Sequence, residues 1–409
     1  MTDPTRRTRT LWMCGILHGF THLYHVALLP LYFQIQHDFK LASVGQATFL
    51  VTSMMGAYYI PSYFMGHLAD RISRKKLLEW GLYLNSAGFI GLALAPNYPL
   101  ALAAIILAGF GGSFYHPAAT AMVVRIFPNN PGHALGLVGM GASVGFFFGP
   151  VYAGWRAATA GWRAPVLELG IAGMIAALLF GWLAADDLSK TQIGERAPER
   201  MFPTGALWVL FFGACLAFSL RDFASCSMAT LGSLFLQKAH GFDLRTTGLA
   251  LSGIFIASFV SNPLFGRLSD SGRKRWTAFV IGVGAIIIWL FPHLPRRLLI
   301  TALLVYGFFF MANYPIVEAA LMESVPDAVR GRVFGIFITV GGLLGNLAHW
   351  VMGRWVESLG PAAKLVSSYS TMYALLAIIA LLSLLGLPCL HRIRKREGLI
   401  LPAYERTPA

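Results

Sequence analysis

Three histidines, His18, His22 and His25, carry the first chemical signal in this chain. Their i, i+4, i+7 spacing places all three on one face of a helix. Imidazoles so arranged can take up protons near neutrality, hold an anionic group, or ligate a borderline metal ion. Further polar groups follow as Tyr115-His116, Arg221-Asp222 and Asn313-Tyr314, with Glu318 one turn beyond Tyr314. Each interrupts a long apolar block. A charge at the centre of a bilayer costs about 2.5–3.5 kcal/mol on insertion scales, which makes it a functional candidate by default. Arg221 and Asp222 are sequence neighbours, about 100° apart on a helix. The expectation is that they do not share a face and that at least one pairs across helices, with Glu318 or a charged histidine.

The elements that must position these residues are membrane helices. Of 409 residues, 56% are hydrophobic and only 12% charged, about half the charge of an ordinary soluble protein. The apolar blocks have the length a bilayer demands. Twelve spans are predicted, near 10–35, 43–65, 77–95, 99–124, 134–157, 164–185, 205–236, 246–265, 276–292, 298–323, 333–356 and 368–390. The one long polar interruption is 186–203, read as a cytoplasmic linker. It divides the chain into a six-helix half, 1–185, and a second six-helix half, 204–409, with a basic tail. The net charge of +14 lies in short loops between apolar blocks, which argues against a nucleic-acid partner and for positive-inside topology. With both termini inside, the inner segments hold 22 Lys and Arg and the outer loops 9. No cleavable signal peptide is expected after the basic start at Arg6, Arg7 and Arg9. The four cysteines form no CxxC pair, so no disulfide framework is expected.

The two halves repeat. Gln34, His37, Phe39 and Gly45 match Gln237, His240, Phe242 and Gly248. Gly66-His-Leu-Ala-Asp70 matches Gly266-Arg-Leu-Ser-Asp270, and His116-Pro117 falls opposite Tyr314-Pro315. Internal repeats of this kind mark transporter folds with a substrate site between the halves. The loop Gly66 to Lys76, with Asp70, Arg71 and Arg74, and the loop Gly266 to Arg275, with Asp270 and Arg273, resemble the hallmark G-x-L-a-D-r-x-G-r-k of the major facilitator superfamily. The first copy has Ser73 where the family usually has glycine. Such a loop is expected to act as a conformational latch, its aspartate pairing with basic residues or with a helix N-terminus. Span 5 carries Gly136, Gly145, Gly149, Pro150 and Gly154, which resembles the family's antiporter motif with Ala153 in place of one glycine. Small residues permit tight helix packing, and Pro150 interrupts the hydrogen-bond ladder. The Gly109 to Met122 stretch resembles the fosmidomycin-resistance branch of drug–proton antiporters, and so does span 1, with His18 followed by a short polar stretch and then Leu28-Leu29-Pro30. Span 1 carries His22 or His25 where that branch has an acidic residue, and Ile105 stands where many drug–proton antiporters have arginine.

The resemblance implies an all-α membrane protein of two pseudo-symmetric halves, with spans 1, 4, 7 and 10 lining a central cavity. It implies a transporter and not an enzyme, and no cofactor-binding motif is present. Substrate contacts are expected from His18, His22, His25, Tyr115, His116, Arg221, Asn313 and Tyr314, and proton coupling from Asp222, Glu318 and His22. Three transport readings stay open. The first is proton-coupled export of a small drug-like or anionic compound by alternating access. The second is uptake of an organic anion with protons. The third is carriage of a transition metal by the span 1 histidines, with His116 or Asp222 completing the shell. The expected setting is a bacterial-type inner membrane, with the protein a monomer.

Overall fold

The computed structural model describes residues 4–69, 71–129, 131–185, 201–326 and 329–400. Asp70 and most of the linker, 186–200, lie outside them. The described residues form helical rods and no strand. In the first half, α1 (Pro4–Val26), a 3-10 turn and α2 (Tyr32–Asp38) make the first rod. Then come α3 (Val44–Ala69), α4 (Arg74–Leu94), α5 (Tyr98–Gly112) stacked on α6 (Tyr115–Ile126), α7 (Pro131–Ala160) and α8 (Arg163–Leu183). The second half repeats the plan with α9 (Gly205–Lys238), α10 (Leu244–Ser269), α11 (Arg273–Leu290), α12 (Leu299–Phe310) on α13 (Asn313–Met322), α14 (Arg330–Ser358), and α15 (Ser370–Leu382) on α16 (Gly386–Ile400). Ten of the rods are long and apolar enough to cross a membrane. The rod of α1 has its apolar run diluted by arginines and histidines. Large apolar side chains such as Trp182, Val209 and Leu385 point outward, as a lipid-facing surface requires and a water-facing one penalises.

Spans 4 and 10, expected as continuous helices, are each broken in mid-span, after Gly112 and after Phe310. The cause is legible in the residues that follow. Pro117 and Pro315 lack the N–H that would bond the carbonyl four residues back, and their rings crowd it. Both breaks sit just before the polar pairs Tyr115-His116 and Asn313-Tyr314. Close glycine contacts repeat with the same symmetry. A Cβ on Gly109 would strike the Met54 carbonyl oxygen on α3, and one on Gly307 the Ile254 carbonyl oxygen on α10. Backbones meet so closely because the glycine carries no side chain.

Among the described residues, hydrogen bonds between the halves lie toward the end remote from the linker. Ser233 Oγ donates to Leu29 O at 2.6 Å and Gln237 Nε2 to Pro30 O at 3.1 Å. Thr52 Oγ1 donates to Asn346 O at 3.0 Å, Ser252 Oγ to Phe147 O at 2.7 Å, and Ser43 bonds Glu357. Two glycine crossings close the same end. Gly154 and Pro150 of α7 lie against Gly248 and Leu244 of α10, and Gly353 of α14 lies against Gly45 and Thr48 of α3. The pairs are symmetry mates, since Gly45 matches Gly248 in the repeat. Toward the linker end, Gly136, Gly266 and Gly335 face open space.

The antiporter-like motif therefore divides into different contacts. Gly145 packs on the Gly19 backbone of α1, and Gly149 on Leu23 and Val26. Gly154 and Pro150 meet the other half, while Gly136 touches nothing. Gly141, not in the motif, makes the tightest approach of all, onto Gly15. In the described copy of the latch loop, Arg273 binds Asp270 at 3.1 Å and Glu323 at 2.6 Å. Those contacts stay within the second half. In the first copy, Gly66 lies in the last turns of α3, and Arg71 and Arg74 lead into α4. Ser73, the departure from glycine, caps α4 by accepting the Lys76 N–H at 3.2 Å, a good use of serine at an N-terminus. Asp243 caps α10 in the same way at 2.7 Å. That backbone hydrogen bond from Thr246 holds its carboxyl below the usual aspartate range.

Candidate functional site

The expected residues gather into two clusters. In the first half, α1 presents His18, His22 and His25, and the break before α6 delivers Tyr115 and His116. His18 Nδ1 donates to Val138 O of α7 at 3.0 Å. Its Nε2 stands 3.1 Å from His22 Nε2. The Tyr115 ring stacks on His18 with centroids 4.8 Å apart, and its hydroxyl donates to Cys14 O at 2.8 Å. His116 meets both His18 and His22, at 5.2 and 5.5 Å between centroids. Phe146 covers His22 at 4.4 Å. His25 sits one step away, edge-on to His22 and to Tyr58.

The second cluster joins α9 to α13 and α14. Arg221 is 2% exposed. Its Nη2 and Nε bind Asp222 Oδ1 at 2.8 and 3.0 Å. The expectation that these neighbours could not share a face is thus corrected. Their Cβ atoms diverge, but the long guanidinium arm of Arg221 folds back across that angle. The cross-helix partner is Asn313, whose Oδ1 accepts from Nη1 at 3.1 Å. Asn313 in turn donates to Phe310 O, a carbonyl freed by the break between α12 and α13. Tyr314 lies under the guanidinium at 4.1 Å, a cation–π contact that strengthens where water is excluded. Glu318 makes no ion pair with Arg221 among the described contacts, but it lies within electrostatic reach of both Arg221 and Asp222. Asp222 fits because α14 presents Gly341 and Gly345 to it.

A row of rings connects the clusters. His25 meets Tyr58 at 4.7 Å, Tyr58 meets Tyr59 at 5.0 Å, and Tyr59 packs on Gly342 within reach of Asp222 and Glu318. Sequence reasoning missed these tyrosines and a further buried group, His349. His349 Nδ1 lies 2.5 Å from Thr230 Oγ1, and its Nε2 lies 3.1 Å from Asn346 Oδ1. The signal was present, since His349 and Asn346 also interrupt an apolar block. They lie on α14, outside the four spans that the family resemblance puts on the cavity.

Comparison with known proteins agrees with this architecture. Multidrug resistance protein 2 of Bacillus subtilis is 26% identical over 80% of this chain and 83% of its own. Multidrug resistance protein MdtG of Yersinia enterocolitica is 25% identical over 93% and 92%. The cis,cis-muconate transport protein of Acinetobacter baylyi is 22% identical over 78% and 80%. Among solved structures, a bacterial homologue of the human lysosomal transporter Spinster, inward-facing and unoccupied, superposes with a TM-score of 0.78 at 14% identity, covering all of both chains. The family model of the Major Facilitator Superfamily matches residues 11–349 and again 210–403. With its paired helical halves, its mid-span breaks and these matches over most of its length, the chain is a multi-pass membrane transporter belonging to the Major Facilitator Superfamily.

Proposed function

We propose that this protein exports a small organic compound, drug-like or anionic, in exchange for protons by alternating access. One observation carries the reading: a buried arginine, Arg221, neutralised by Asp222 with Glu318 nearby, between helices of one half. A proton on Asp222 removes the charge that holds the guanidinium, and Arg221 must then find another anion or another arrangement. Glu318 is the second proton acceptor, within the field of the same arginine. The tight seal remote from the linker and the inner excess of basic residues support entry of cargo from the cytoplasm. In this reading both termini are cytoplasmic, the membrane is a bacterial inner membrane, and one chain is the working unit. The relatives named for multidrug resistance favour export.

A second reading is uptake of an organic anion with protons. Arg221 offers a planar fork suited to a carboxylate, and one relative is named for transport of muconate, a dicarboxylate. Reconstitution into vesicles with an internal pH dye separates the two. A panel of amphipathic antibiotics and organic acids is loaded on one side. Export by exchange moves protons against the cargo's direction. Co-movement of protons and cargo would establish the uptake reading instead.

A further inference from the structure

The histidine cluster of the first half contains no charge of fixed sign and does not take part in the Arg221–Asp222 pairing. Its geometry has another use. His18, His22 and His116 each place one ring nitrogen so that the three atoms lie within 4.8 Å of one another. The His18 and His22 Nε2 atoms are 3.1 Å apart, close to the separation of about 3.3 Å between two nitrogens on a tetrahedral zinc ion. The i, i+4 pair comes from α1 and the third imidazole from α6, so rigid helices set the positions.

The surroundings fix the donors. Val138 O can only accept, so His18 Nδ1 carries the proton and Nε2 presents its lone pair. A second hydrogen bond of this kind orients most metal-binding histidines. Two further buried ring nitrogens, His22 Nδ1 and His25 Nε2, have no hydrogen-bond partner. Polar atoms are seldom left so in a buried site without a reason. Without a metal, the His22 Nε2–H donates to the His18 Nε2 lone pair.

We infer that His18, His22 and His116 form a binding site for one divalent transition-metal ion of the zinc, cobalt and nickel class. Three neutral imidazoles suit that class, and no carboxylate or carbonyl cage is offered that would suit magnesium or calcium. Asp222 does not complete the shell, because it is held by Arg221 in the other half. The fourth position is then left to water or to an anionic donor of a cargo molecule. Three protein ligands with one open position make an exchanging site, in contrast to closed four-ligand structural sites.

The test uses the full-length protein, purified in detergent through a tag without histidine. Equilibrium dialysis against ZnCl2 should show about one bound ion per chain, and Co2+ should give the intense visible absorption of a four-coordinate site. Mg2+ should not compete. His22→Gln and His116→Gln should each weaken Co2+ binding by more than about tenfold, while His37→Gln, at an exposed histidine away from the cluster, binds Co2+ as the wild type does. Monodispersity on gel filtration qualifies each variant. The wild-type stoichiometry stands on its own even where a variant does not fold. Wild-type protein that retains no Zn2+ above a dialysis blank, or Co2+ binding that survives loss of either histidine, overturns the site.

Discussion

Gly248→Leu holds the end remote from the linker apart. A Cβ at this position would press on the Pro150 carbonyl oxygen of the facing half, and Gly154 would meet the Leu244 carbonyl in the same way. Both obstacles are backbone, so neither moves aside. Overpacking a close contact costs about 1–3 kcal/mol. Applied to one of two access states, that shifts the population by roughly 5- to 150-fold. The readout is a cysteine placed at Ser252, whose hydroxyl bonds Phe147 O across the closed interface, with the native cysteines replaced. A membrane-impermeant thiol reagent applied from the remote side should label it slowly in the Gly248 parent and many times faster in Gly248→Leu. Turnover should fall with the same substitution. Equal labelling in both backgrounds would show that the glycine crossing does not set the closed state. Gly45→Ala should do less, because the atoms it meets are side-chain atoms of Arg354 and Ser43 and not backbone.

Arg221→Met should be the most destabilising single change in the second half. It leaves Asp222 as a buried charge without its partner and strips Asn313 of a donor. Breaking a buried pair from one side costs about 3–5 kcal/mol, whereas replacing both members often costs little. The double variant Arg221→Met, Asp222→Asn should therefore recover much of the loss in thermal stability while staying inactive in transport. A single variant as stable as the wild type would mean that the pair is not buried as described.

Much of the fold was legible in the residues. The matching Gly66 and Gly266 loops and the blocks of apolar residues are local signals, and they led to the all-helical membrane fold. The three span 1 histidines were legible as well, since helical spacing alone puts them together and His116 joins them. What was not legible depends on contacts between distant segments. Gly45 and Gly248 showed as a repeat, but their partners Gly353 and Gly154 lie on other rods, so the crossings that close the remote end had no signature. In α7 the close packing on α1 runs through Gly141 as well as Gly145, whereas Gly136 faces open space. Arg221 and Asp222 were expected to part because helical angle was weighed without side-chain length. In the second loop Arg273 pairs with Glu323, a residue the repeat does not mark. His349 went unread because its partners, Thr230 and Asn346, are hydroxyl and amide groups that a sequence offers in many places.

The most direct test of proton coupling through the second cluster is cargo exchange in proteoliposomes under an imposed pH gradient, comparing wild type with Asp222→Asn and Glu318→Gln. Both amides keep the shape of the side chain and remove the titrating proton. The expected result is that gradient-driven accumulation is lost in Asp222→Asn and strongly reduced in Glu318→Gln, while cargo still exchanges for cargo without a gradient. Gradient-driven accumulation at wild-type rates in both variants would contradict it.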